Sequence, residues 1–241
     1  KVSNFNLDDD VCEVLYSPTG TMLAAADNSG KFVVRKTKFE DQGQIVVEDK
    51  IESFYGVALA WSPDGNMLAI GGGTESKGKV VIHGVQERIS TRKFSEKNHV
   101  TSLVFSSDAK LLCIGTVAMN EETDADWSGE IIIKNTKTLA SVRTIQKCGG
   151  GVVSLSFSHD DALLAALEVS ENGHAMRVYD PASGNVIHEV PNNVQLYKIN
   201  PESNKKNNLN VYEGPKTDDR IIRVLKRNDE VFVLGTKDDG Y

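Results

Sequence analysis

No apolar run in this sequence approaches the roughly eighteen residues that a membrane-spanning helix needs, and Lys1 does not open a charged start followed by an apolar middle. Neither a membrane span nor a secretory leader is read from the chain as given, and a soluble protein is expected. Cysteine is scarce. Cys12, Cys113 and Cys148 are odd in number, far apart and without Cys-x-x-Cys spacing, which argues against a disulfide framework or a zinc site and for a reducing compartment. Cys12 and Cys113 fall inside apolar strand patterns, where a small buried thiol is expected.

Basic residues are in deficit. There are 27 Lys and Arg against 34 Asp and Glu, a net charge of −7, which argues against attraction to a phosphate backbone and leaves nucleic acid a disfavoured partner. The deficit lies before the tail: Lys198–Tyr241 holds 9 basic and 8 acidic residues, leaving 18 and 26, a net −8, in what precedes it.

Reactive motifs are also missing. There is no Gly-x-Ser-x-Gly, no His-Glu-x-x-His, no phosphate-cradling Gly-x-x-x-x-Gly-Lys and no metal spacing among His83, His99, His159, His174 and His188. The expectation is a protein that is not an enzyme and has no catalytic residues, cofactor or metal. Gly71-Gly-Gly73 follows a strand but leads to another strand rather than a helix, so it reads as a flexible hairpin loop and not a dinucleotide site.

What the sequence does contain is a repeat. Val11-Cys-Glu-Val-Leu-Tyr-Ser-Pro-Thr-Gly20 with Met22–Ala26 and Lys31–Arg35 is followed by Val57-Ala-Leu-Ala-Trp-Ser-Pro-Asp-Gly65 with Met67–Ile70 and Lys79–His83. A third copy runs Val100–Asp108, Leu111–Ile114 and Glu130–Lys134, and a fourth runs Val152–Asp160, Leu163–Ala166 and Met176–Asp180. The marker serines Ser17, Ser62, Ser106 and Ser158 stand 45, 44 and 52 residues apart.

Each copy has three short runs rich in Val, Ile, Leu and Phe, with turn residues between them, the pattern of an antiparallel meander. A more polar fourth strand follows, clearest at Asn185–Val190 after Ser183-Gly184. Ser-Pro-Asp-Gly at Ser62–Gly65 suits a type I turn: proline presets φ and glycine accepts φ > 0 afterwards.

These residues resemble the WD-repeat family over roughly Leu7 to Val190, and the near-constant spacing suits WD-type blades of about 40 to 45 residues. The resemblance implies an all-β fold: β-propeller blades, each a four-stranded antiparallel sheet, spanning residues 1–191. The departures are plain. Trp-Asp is represented by Tyr179-Asp180 alone, with Arg35-Lys36, His83-Gly84 and Lys134-Asn135 elsewhere, and the Gly-His before the first strand is missing. Because propellers close with four to eight blades, four copies are expected to be part of a larger ring, with Val2–Asn6 the outer strand of a preceding blade.

Residues 192–208 turn polar and read as a linker. Beyond it, Leu209–Asp218, Arg220–Asp229 and Glu230–Gly235 resemble the opening of a bacterial-type Src-homology-3 module, implying a partial small β-barrel over 209–241 that stops before its closing strands. Two more propeller strands would fit the same Val-x-Val alternation.

The third spacing is stretched by Thr116-Val-Ala-Met-Asn-Glu-Glu-Thr-Asp-Ala-Asp-Trp-Ser-Gly129. In a propeller, loops joining second to third strands share one face with the loops joining blades. The candidate protein-binding residues are therefore Trp127, Asp124, Asp126, Glu121 and Glu122, with Asp8, Asp9 and Asp10: a tryptophan anchor among charges that would steer a basic segment. A tryptophan folded back on its own blade is the alternative. Asp124–Gly129 also echoes a calcium loop, but Asn135 stands where the bidentate Glu should be.

The expected function is a non-catalytic scaffold or adaptor that binds other proteins in a cytoplasmic, intracellular or cytoskeletal assembly. The alternatives are an accessory propeller of a larger peptidase-like enzyme, or an extracytoplasmic bacterial binding protein, which a leader peptide upstream would mark.

Overall fold

A computed structural model describes residues 7–37, 43–53, 56–74, 76–85, 90–118, 128–146, 148–170, 173–190, 208–212 and 221–226. Tight turns keep consecutive strands adjacent, and every sheet is antiparallel. Strands β1 (Val11–Tyr16), β2 (Met22–Asp27), β3 (Lys31–Lys36) and β4 (Ile45–Lys50) pair in sequence order. The second sheet holds β5 (Ala58–Trp61), β6 (Met67–Thr74), β7 (Lys77–Gly84) and β8 (Arg92–Glu96). The third holds β9 (His99–Phe105), β10 (Leu111–Val117), β11 (Ile131–Asn135) and β12 (Ser141–Ile145), and the fourth β13 (Gly151–Phe157), β14 (Leu164–Ser170), β15 (Gly173–Tyr179) and β16 (Val186–Val190). The chain is all-β, in four propeller blades.

The turn serine holds each first hairpin by the same device. The N–H groups of Met22, Met67, Leu111 and Leu163 donate to the hydroxyls of Ser17, Ser62, Ser106 and Ser158 at 2.9 to 3.1 Å. The last three hydroxyls in turn donate to Asp64, Asp108 and Asp160. Beside these, Lys110 donates to Asp108 by side chain and backbone and pulls its carboxyl down to about 2. The turns need a left-handed residue, supplied by Gly20 and Gly65 but by Ala109 and Asp161 in the later blades.

Each blade packs on the first strand of the next, forming three apolar layers. Ala24, Ala26, Phe32 and Val34 cover Val57, Leu59 and Trp61, and Ala69, Val80 and Ile82 cover Val100, Leu103 and Phe105. Cys113, Ile131 and Ile133 cover Val152 and Leu155. Polar threads cross the same layers. Leu59 N–H donates to Glu13 at 2.6 Å, Trp61 Nε1 to the Leu15 carbonyl at 3.1 Å, and Leu155 N–H to Ser102 at 3.0 Å. Burial pushes the Glu13 carboxyl up, against the opposing pull of the Leu59 N–H.

Two expectations need correction. Gly71–Gly73 is not a flexible loop: all three residues lie inside β6 and are buried. Glycine is required because the next blade sits against it; a Cβ on Gly71 would stand 2.5 Å from Val100 Cγ1. Cys113 is buried as expected, but Cys12 is exposed. Gly56, whose Cβ would lie 3.6 Å from the Cys12 sulfur, contributes no side chain to cover it.

The chain divides into compact units 1–189 and 190–241. In the second, β17 (Asn208–Tyr212) pairs antiparallel with β18 (Ile221–Lys226). Residues 1–6, the linker before Asn208 and the expected strand near Val231–Leu234 lie outside the described residues. Among the described residues no helix is long and apolar enough to cross a membrane.

Candidate functional site

The edge of the first unit where the β2–β3, β6–β7, β10–β11 and β14–β15 connections meet the loops joining the blades is fixed by buried polar groups at matching positions. Asp27, Thr116 and Glu168 stand opposite Val11, Val100 and Val152 in the register of their first hairpins; Thr116 pairs there directly with Val100. All three are at most 1% exposed.

Asp27 gathers the loop before β1. One carboxylate oxygen accepts the N–H groups of Asp8 (2.8 Å) and Asp9 (3.2 Å); the other accepts the Ser29 hydroxyl (2.8 Å) and the Lys31 N–H (3.0 Å). Burial works to raise its pKa, but these four donors outweigh it and hold the carboxyl below the usual range. In blade four Glu168 accepts the Gly149 N–H at 2.6 Å and the Tyr179 hydroxyl at 2.5 Å, and pairs with Arg177. Burial and the bond to Glu168 raise the Tyr179 pKa.

Blade two uses a different solution. Gly72 carries no side chain, and Ser53 of the joining loop fills the space: its hydroxyl donates to the Gly56 carbonyl at 2.5 Å and accepts the Gly73 N–H at 3.2 Å. In blades one, two and four these bonds tie the described loop segments that join the blades to the strands beside them.

On that face a cleft of about 530 Å³ is lined by Asp9, Asn28, Ser29, Lys50, Ile51, Glu52 and Ser53. Asn28 N–H donates to the Asp10 carbonyl at 3.0 Å and Ile51 N–H to the Gly30 carbonyl at 3.0 Å, so three separate chain segments form its walls. The structure thus brings Asp8, Asp9 and Asp10 together around Asp27. Their charges differ in availability. All three are exposed, and Asp8 pairs with Lys31 at 2.9 Å and Lys50 at 3.8 Å. Glu52 pairs with Lys79, which lowers the Glu52 pKa.

Glu121, Glu122, Asp124, Asp126 and Trp127 lie outside the described residues. The base of their loop is described: Ala118 and Ser128 form an antiparallel bridge, with N···O distances of 2.7 and 3.2 Å, beyond the end of β10. Among the described residues no cluster of His, Cys, Asp and Glu could hold a metal ion.

Sequence reasoning missed Asp27, Ser53 and Glu168. The positions of Asp27 and Glu168 were marked by the repeat, since following each copy past Ala26, Gly71, Gly115 and Leu167 meets Asp27, Gly72, Thr116 and Glu168 in turn, but no residue type recurs there and Ser53 carried no mark. The cleft residues Lys50, Ile51 and Glu52 carried no such mark.

No family model matches the sequence, and no curated protein matches it. Solved structures do, 1279 chains of them, so the match identifies a widespread fold and discriminates little among functions. One is a chain of hydrazine synthase from Kuenenia stuttgartiensis, similar at a TM-score of 0.61 and 18% identity over 81% of this chain. This chain spans 55% of that one. At that identity the likeness speaks for the fold alone.

Proposed function

We propose that this protein is a non-catalytic scaffold whose loop face binds a basic protein segment within a cytoplasmic or cytoskeleton-associated assembly. The observation that carries the reading is the pinning of that face: buried Asp27 holds the Asp8 and Asp9 N–H groups with one carboxylate oxygen and the β2–β3 turn, through Ser29 and Lys31, with the other, while Asp9 and Asp10 are exposed. A loop already held in place loses less entropy on binding, so the exposed Asp9 and Asp10 charges act at full effect. In this reading the blades are divergent WD-type blades, Trp127 is the anchor, Asp124, Asp126, Glu121 and Glu122 steer the partner, and the tail opens a Src-homology-3-like module offering a second contact.

The test is titration of a fluorescent Lys- and Arg-rich peptide against the protein at two salt concentrations. Trp127→Ala should weaken binding by about tenfold or more, and raising the salt should slow association. Unchanged affinity in Trp127→Ala would overturn the reading.

A second reading, an accessory propeller of a larger multidomain enzyme, is compatible with the structural neighbour, a chain named as a synthase of which this chain matches just over half. A catalytic domain on the native polypeptide would decide for it.

A further inference from the structure

The four blades meet in three interfaces with one pattern, and the outer face of blade one carries that pattern exposed, with no neighbouring blade among the described residues. Leu59, Leu103 and Leu155 occupy equivalent register positions and are 5 to 8% exposed, each against the preceding blade; Val14, at the same position of β1, is 55% exposed. Tyr16 stands where Trp61 and Phe105 are buried and is 62% exposed. Val11 stands where Val100 and Val152 are 0% exposed and is 54% exposed itself. Three large apolar side chains on one strand face are thus shaped for a layer that the other blades all possess.

What fits there is set by the size of one residue on the covering blade. Ala26, Gly71, Gly115 and Leu167 pair across their hairpins with Glu13, Ala58, Ser102 and Ser154, one position in four copies. This residue faces the residue that opens the next blade. Where the next blade opens with valine, the facing residue is glycine: a Cβ on Gly71 would meet Val100 Cγ1 at 2.5 Å, and a Cβ on Gly115 would meet Val152 Cγ1 at 2.7 Å. Where the next blade carries Gly56 at the valine position, the residue at 26 is alanine, in the layer that covers Val57 and Leu59. Blade four carries Leu167, a full side chain at a position that beside valine has no room for a methyl group.

Leu167 therefore cannot take the place of that glycine over Val11. This rules out closure of blade four onto blade one in the register used at the three observed interfaces. It equally rules out a two-copy ring, in which the same two surfaces would meet between chains.

We infer that the β1 face is covered by a further blade of the same polypeptide, carrying glycine where blades two and three carry Gly71 and Gly115. The same polypeptide is the source because all three observed interfaces join blades consecutive in the chain, the outer strand of one leading by a short loop to the first strand of the next. That blade's hairpin also supplies an acceptor for the Val14 N–H, as Glu13 does for Leu59 and Ser102 for Leu155. The inference rests on packing and stands apart from the binding role proposed above.

The experiment is hydroxyl-radical footprinting of the native polypeptide, at a concentration where sedimentation shows a monomer, comparing Tyr16 with exposed Ile187 on β16. A maleimide-labelling experiment on Tyr16→Cys and Ile187→Cys variants repeats the comparison independently of aromatic reactivity. Protection of position 16 by tenfold or more in the monomer is expected. Modification as fast as the exposed positions of an unshielded strand allow would overturn the inference, and so would protection that appears only as a dimer forms, which would assign the face to a second copy.

Discussion

Asp161, in the turn between β13 and β14, accepts the backbone N–H of Ser107 on both carboxylate oxygens, at 3.0 and 2.9 Å, and the Ser107 hydroxyl at 2.6 Å, so the turn of blade four is tied to the turn of blade three. It does so from a left-handed backbone, φ 57°, at the position where Gly20 and Gly65 sit at 66° and 70°. A hydrogen-bonded contact between blades thus overrides the local preference for glycine. Ala109 occupies the same position with φ 58° and no such contact.

The pair makes a controlled comparison. Ala109→Gly removes the left-handed strain and should stabilise the protein by about 0.5–1 kcal/mol. Asp161→Gly removes the same strain but also the Ser107 bonds, at about 1 kcal/mol or more, and should be neutral or destabilising. Urea midpoints at constant m-value check both. Equal stabilisation by the two substitutions would mean that the Ser107 contact contributes nothing.

Asp27→Asn tests the pinning of the loop face. Four donors converge on two carboxylate oxygens. An amide offers one oxygen and turns its NH₂ toward the remaining donors, so the substitution should cost about 1–3 kcal/mol at neutral pH. The folded pKa of Asp27 is lowered, so the stability it confers is present above the ordinary carboxylate pKa and is lost as pH falls through the lowered value. The gap between wild type and Asp27→Asn should close over that acid window, as read from urea melts at stepped pH. A gap independent of pH would show that the carboxylate charge is not the cause.

The blades were readable from sequence because each copy closes its first hairpin through one residue's own chemistry. Ser17, Ser62, Ser106 and Ser158 act on neighbours five residues away, and that regularity survives in the letters. The triple glycine was misread because its cause is remote: Gly71 is small on account of Val100, in another blade. Asp27 and Ser53 were missed for a related reason. The blades meet one structural need with Asp, Thr or Glu on the strand, or with glycine on the strand and serine on the loop, and a need met by different residues leaves no repeating residue type. Cys12 looked buried because its strand is apolar, and the glycine opposite leaves it open.

Thiol chemistry should separate the three cysteines. Burial raises the Cys113 pKa and pushes that of Cys148 up to about 12, so at pH 8 only about one Cys148 in ten thousand carries the reactive thiolate. Iodoacetamide should leave both unmodified in the native protein and label all three cysteines in urea, as counted by intact mass. Rapid native labelling of Cys148 would show that its blade opens readily.

The size rule at the blade interfaces can be tested inside the chain itself, at the contact between Gly115 and Val152. Gly115 has no positive φ to restrict it, so Gly115→Ala is resisted by packing alone: the new methyl would stand 2.7 Å from Val152 Cγ1. Overpacking of this kind should cost about 1–3 kcal/mol. Val152→Gly alone leaves a cavity and should cost about 2–4 kcal/mol. Together the two substitutions place alanine and glycine at the two positions where blades one and two carry Ala26 and Gly56. The double variant should therefore be more stable than the sum of the single changes allows, by about 1–2 kcal/mol of coupling in a double-mutant cycle. Strict additivity would show that blade three yields to the methyl without strain, and would remove the steric ground for separating Leu167 from Val11.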